Sequence, residues 1–132
     1  MTIGDLVTRA LQLAGVVGMN RAPSAAEMND GIDTLNEMLN AWALDGMDLR
    51  LGELFQGDSD LLDPAFVKGI RYSLAVELAG AHGILKELPK TIVAGAESEQ
   101  DKIRAALADV NNMRCDNALI GRKPFYDWIN DN

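Results

Sequence analysis

The stretch from Ser24 to Gly46 constrains this chain more than any other. Ser24 followed three residues later by Glu27 forms a capping box, with Pro23 just outside it. Met28, Ile32, Leu35, Leu39 and Trp42 then recur at spacings of four, three, four and three, which places all five on one stripe of an α-helix. Gly46 supplies a stop. A helix with one apolar stripe must bury that stripe against other elements, and the remaining sequence offers mainly helices for the purpose.

Three further segments carry the same signals. Thr2 can cap a first helix whose apolar positions are Leu6, Val7, Ala10, Leu11 and Ala14, with Gly15 placed as a left-handed C-terminal residue. Residues 16–23 form a short connector. Asp63 and Pro64 make a cap and first-turn pair for a third helix carrying Val67, Ile70, Leu74 and Leu78. Its small residues Ala79, Gly80, Ala81 and Gly83 allow a neighbour to come close. A fourth helix begins near Pro89 and runs to about Met113, with Ile92, Ala96, Ile103, Leu107 and Val110 as apolar positions. Between the second and third helices, Met47, Leu49 and Leu51 alternate with polar residues, which predicts a short extended segment or β-hairpin somewhere in residues 47–62. The expected fold is mainly α: a compact bundle of about four helices over residues 1–113, an irregular or hairpin connection at about 47–62, and an extended C-terminal tail over 114–132.

Length and composition fit that picture. A chain of 132 residues, 48% hydrophobic and 24% charged, suits one globular domain that buries roughly two thirds of its unfolded surface. The apolar runs are far short of a membrane span, and the opening MTIGDLVTR lacks the basic start and apolar block of a signal peptide. The expected location is the cytoplasm or an assembly built there. A single cysteine, Cys115, excludes an internal disulfide and offers no metal framework.

Charge is distributed unevenly. Residues 1–63 hold 11 acids against 3 bases, whereas residues 64–132 hold 9 of each, so the net charge of −8 belongs to the first half. Phosphate-driven nucleic-acid binding needs clustered Lys and Arg, and no such cluster stands out. On the second helix Asp30, Asp33 and Glu37 share a face away from the apolar stripe, and no base lies between residues 22 and 49 to offset them. The ordinary reading of such a face is solvation.

Little in the chain points to chemistry. His82 is the only histidine and has no partner placed for a triad or metal site. Asp58, Asp60 and Asp63 superficially resemble a calcium loop but lack its glycine and distal glutamate. No metal and no cofactor is expected.

The last eleven residues, RKPFYDWINDN, are different. Only seven aromatic residues occur in the chain, and Phe125, Tyr126 and Trp128 lie among its last eight positions. The segment either folds back over its own domain's core or docks on another chain. Basic residues beside aromatics, here Arg122 and Lys123, favour the second placement, because Arg, Trp and Tyr dominate interface hot spots. Ile129 adds apolar area to the same segment, and Gly121 with Pro124 favours a turn that separates it from the helices.

The stretch GDLVTRALQLAGVVG, followed by a proline–serine step and AAEMNDGIDTLNEMLNAWALDGMDL, resembles the N-terminal region of the head-to-tail adaptor proteins of short-tailed bacteriophages. These are also called tail accessory factors or packaged-DNA stabilisation proteins. The matching positions are Gly4, Asp5, Leu6, Ala10, Leu11, Gly15 and Val16, then Asp33 or its neighbour Asp30, Leu35, Asn36, Met38, Leu39, Trp42 and Gly46. The likeness covers roughly residues 3–50 and loosens through LAVELAGA in the third helix.

The resemblance implies a virion protein of the head–tail junction without enzymatic activity, assembled in the host cytoplasm. It would form a homo-oligomeric ring, typically a dodecamer, beneath the portal protein ring after DNA packaging, and would present a platform to a downstream tail protein. The C-terminal segment would then pack on the portal through Arg122, Lys123, Phe125, Tyr126, Trp128 and Ile129. Asp30, Asp33 and Glu37 become candidates for a channel-facing surface. Twelve copies at −8 place roughly −96 of formal charge around the channel, and a like-charged lining lets DNA pass without specific binding.

Two other functions remain open on sequence alone. One is a small acidic helical module that inhibits or engages a host protein. The other is a cell-wall hydrolase using a carboxylate pair drawn from Glu53, Asp58, Asp60 and Asp63, which would have to sit across a cleft.

Overall fold

The computed structural model describes the backbone of residues 1–121 and the side chains of residues 1–108. Its elements are α1 (Ile3–Ala14), α2 (Ala25–Leu44), α3 (Pro64–Ala81), a 3₁₀ turn at Leu85–Glu87 and α4 (Lys90–Gly121). No helix among the described residues is long and apolar enough to cross a membrane.

The helix starts follow local chemistry. The Asp5 N–H donates to Thr2 Oγ1 and the Thr2 N–H donates to Asp5 Oδ2, both at 3.1 Å, which closes a reciprocal cap on α1. Ser24 and Glu27 repeat the arrangement on α2 at 3.1 and 3.2 Å. Bonding to the Thr2 backbone N–H holds the Asp5 carboxyl below its usual range; the Ser24 backbone N–H, then the Arg21 guanidinium, do the same for Glu27. At the start of α3, Asp63 Oδ1 accepts from the Ala65 N–H at 2.9 Å, with Pro64 in the first turn where its missing N–H costs nothing. Gly15 ends α1 with φ +82°, a left-handed conformation that any β-carbon would oppose.

Helix α3 is the central element and packs against α1, α2 and α4. Ile70, Leu74, Ala75, Leu78 and Ala79 are all fully buried on it. They meet Leu6, Val7, Ala10 and Leu11 of α1, the Met28–Ile32–Leu35–Met38–Trp42 stripe of α2, and Ile103 of α4 in one continuous core. Leu39, expected in the α2 stripe, is only half-buried; Met38 lies deeper and widens the stripe by one position. Among the described residues Ser73 is the one buried polar side chain, and its hydroxyl accepts from Gln100 Nε2 at 2.9 Å, tying α3 to α4.

Close helix approach occurs elsewhere than the small-residue run suggests. A β-carbon added at Gly80 would meet nothing within 4 Å. At Gly31 of α2 it would collide with Val7 of α1, and at Gly69 of α3 it would come within 2.7 Å of Ile103 and 3.1 Å of Glu99 on α4. These two glycines set the α1–α2 and α3–α4 spacings.

The expected hairpin is absent: residues 47–62 form no strand, and among the described residues the one bridge joins Thr2 to Ser59. Arg50 and Asp60 both adopt φ near +58°, which breaks the alternation of an extended chain. The segment's backbone groups are also committed elsewhere. The Ile3 N–H donates to the Asp58 carbonyl at 2.8 Å and the Gly4 N–H to the Gln56 carbonyl at 3.0 Å, so the connection satisfies donors that the first turn of α1 leaves open.

Helix α4 runs past its expected end near Met113 to Gly121. No glycine or proline intervenes between those positions, so the helix lacks a local stop until Gly121. In register, Gly69 of α3 faces Glu99 and Ile103, and Tyr72 faces Gly95, so the two helices run antiparallel. Phe66 near the start of α3 shares a groove with Leu107. From there α4 continues about 20 Å, at 1.5 Å per residue, beyond the first turn of α3.

Candidate functional site

Asn36 is the residue that organises the irregular connection. Its Nδ2 donates to the Leu54 carbonyl at 3.1 Å and its Oδ1 accepts from the Leu54 N–H at 2.9 Å. The amide thus replaces a strand partner for one residue and holds Leu54 in the core, 1% exposed. Asn36→Ala leaves both Leu54 groups without that partner. The expected loss is about 1–3 kcal/mol, read as a lower urea midpoint, with faster amide exchange at Leu54; an unchanged midpoint would contradict the clamp.

The clamped connection shapes two adjoining hollows. One, of about 390 Å³, is lined by Leu49, Leu51, Leu62, Phe66 and Leu107, with Arg50 and Asp63 at its polar edge. The other, of about 300 Å³, lies between α1 and α3 and is lined by Ile3, Leu6, Leu61, Pro64 and Val67. Leu61 and Leu62 belong to both. Phe55 stands near them in sequence and is 59% exposed.

Two of the four carboxylates considered for hydrolysis, Asp58 and Asp63, are occupied with backbone, whereas Glu53 and Asp60 make no side-chain hydrogen bond among the described residues. Asp58 Oδ2 accepts from the Phe55 N–H at 2.8 Å, and Asp63 is the α3 cap. Among the described residues, no three His, Cys, Asp or Glu side chains gather as a metal site would require.

A third hollow, of about 170 Å³, opens on α1 and α3 and is lined by Arg9, Leu13, Met19, Arg71 and Tyr72. Arg71 and Lys68 lie 5.7 and 5.5 Å from the Tyr72 ring centroid. Lys68 also pairs with Glu99 at 3.8 Å, but among the described residues neither Arg9 nor Arg71 has a carboxylate within 4.0 Å. Sequence reading passes over this site, because Arg9 and Arg71 are far apart in the chain and neither belongs to a basic run.

Asp30, Asp33 and Glu37 are exposed on α2. Asp30 lies 3.4 Å from His82 Nε2, at the C-terminal cap of α3, so it is drawn toward its own chain. Asp33 and Glu37 have no such partner among the described residues. Leu44, in the last turn of α2, is 91% exposed. Arg122, Lys123, Phe125, Tyr126, Trp128 and Ile129 lie outside the described residues.

Comparison with protein-family models, curated proteins and solved structures finds no match to this chain.

Proposed function

We propose that the chain is a structural head-to-tail adaptor of a tailed phage. It forms a ring under the portal, retains packaged DNA and carries the tail attachment platform, with no chemistry of its own. The observation that carries this reading is the length of α4. Its register against α3 sends its end at Gly121 about 20 Å past the first turn of α3, and the aromatic, basic segment 122–132 starts there. A helix of that reach suits delivery of an anchor to a neighbouring ring better than cover for a core already closed by α1–α3 and the first half of α4. The positions that carry the family likeness support the reading too. Leu35, Met38 and Trp42 are core, Asn36 clamps the connection, and Gly4 donates into it. These residues thus form one structural unit.

The test mixes the purified chain with the portal ring of the same genome and measures complex mass, with and without residues 122–132. The expected result is about one adaptor per portal subunit, lost on truncation while the truncated chain still melts cooperatively. Phe125→Ala and Trp128→Ala should each weaken binding by about 2 kcal/mol or more if they are hot spots. If the intact folded chain ignores the portal, the adaptor reading fails, and an acidic helical module acting on a host protein becomes the better account.

A further inference from the structure

We propose that copies of this chain join head to tail, the outer face of α2 in one copy seating on the Arg9–Arg71–Tyr72 hollow of the next. The proposal rests on the ring reading and names the two surfaces that meet.

Helical phase places these surfaces on opposite flanks of the domain. Val7 of α1 meets Gly31 of α2 where the two helices touch. At 100° per residue, Arg9 and Leu13 lie about 200° and 240° around α1 from Val7. By the same count, Asp33, Leu44 and Glu37 lie about 200°, 220° and 240° around α2 from Gly31. Each set therefore points away from the α1–α2 contact, one toward the α3 side of α1 and the other outward from α2. Surfaces so placed cannot satisfy each other within one chain, but they can between copies.

Their chemistry matches in two respects. Asp33 and Glu37 present two carboxylates, and Arg9 and Arg71 present two guanidiniums, none of the four paired among the described residues. Beside the charges each face has an apolar part: Leu44 on α2, 91% exposed, and Met19, 60% exposed, with Leu13 and Tyr72 in the hollow. The exposed leucine at the end of the acidic stripe would serve here as the apolar anchor. A contact between two different faces of identical chains repeats, and it ends in a ring when the rotation between copies closes.

The test uses two full-length charge-reversed variants, R9E/R71E and D33R/E37R, both altered only at the surface and checked for folding by circular dichroism. The wild-type chain should self-associate at low salt and less so at high salt. Each variant alone should associate roughly a hundredfold more weakly, because like charges now face each other. An equimolar mixture should recover assembly with the variants alternating, since both of its contacts again join opposite charges. Sedimentation and native mass spectrometry read all three. A wild-type chain that stays monomeric at high concentration and low salt overturns the proposal. So does undiminished assembly of either folded variant, or a mixture that stays monomeric. Portal binding, measured alongside, separates the two readings. Full portal occupancy by R9E/R71E alone sinks this interface and leaves the adaptor role standing. Assembly through these faces by a chain that ignores the portal does the reverse.

Discussion

Replacing Trp42 with alanine should lower the stability of the folded domain by about 3–5 kcal/mol, the range for removing a large buried aromatic. The indole is 7% exposed at the end of the α2 stripe, in the same core as Leu35, Met38 and Met47. Its backbone is committed as well: the Trp42 carbonyl accepts from the Met47 N–H at 2.8 Å and the Asp45 N–H at 3.0 Å, which turns the chain into the connection. Losing the ring therefore removes apolar contact and loosens the point where α2 hands over to residues 47–62. A typical domain has only about 5–15 kcal/mol to lose, so the variant should be partly unfolded at physiological temperature. Urea unfolding measures the loss, and a change below about 1 kcal/mol would show that the indole can leave its site at little cost. On the adaptor reading the other tryptophan should behave oppositely: Trp128→Ala should cost portal affinity and leave the melting temperature where it was.

Gly31→Val should cost about 3 kcal/mol or more, at the upper end of what overpacking usually does. The new β-carbon would collide with Val7, which is itself fully buried and has nowhere to retreat. Helix α2 would have to move off α1, opening the contact that also buries Leu11. Helix propensity works in the other direction, because valine is a better helix former than glycine, so a measured loss reports packing alone. Gly80→Ala is the control. That glycine is exposed in the last turn of α3, where a β-carbon would meet nothing within 4 Å, and alanine there should stabilise α3 by about 0.4–1 kcal/mol. Equal responses at the two sites would mean that Gly31 does not set the α1–α2 distance.

The helix starts were legible because their signals are local. Thr2, Ser24 and Asp63 each bond to a backbone N–H two or three residues ahead, and such a bond depends on nothing distant. The α2 stripe was legible for the same reason, apart from the exchange of depth between Leu39 and Met38, which depends on where α3 lies. The misreading of residues 47–62 has a physical cause too. Alternation at Met47, Leu49 and Leu51 is what a strand would show, but a strand needs a partner, and the chain supplies none nearby. The Asn36 side chain and the first turn of α1 take up that backbone instead, and neither can be seen from the segment itself. The end of α4 was set too early, at a point where the sequence holds no stop signal.

Of the surfaces, the acidic one was visible, since Asp30, Asp33 and Glu37 recur at helical spacing within eight positions of a single helix. The basic hollow was not, because Arg9 and Arg71 meet only through the packing of α1 on α3. The fate of Asp30 was equally hidden: its partner His82 comes from the far end of another helix.

The sequence by itself determined which segments are helical, where three of them start, which stripes are apolar, and that the acidic excess belongs to the first half. Those properties depend on residues within a turn or two of one another, so a one-dimensional pattern holds all of them. The tertiary structure alone decided which glycines admit a neighbour, what the irregular connection bonds to, and which distant charges share a surface. Those depend on distances between residues far apart in the chain, which become definite only once α3 has gathered the other helices around it.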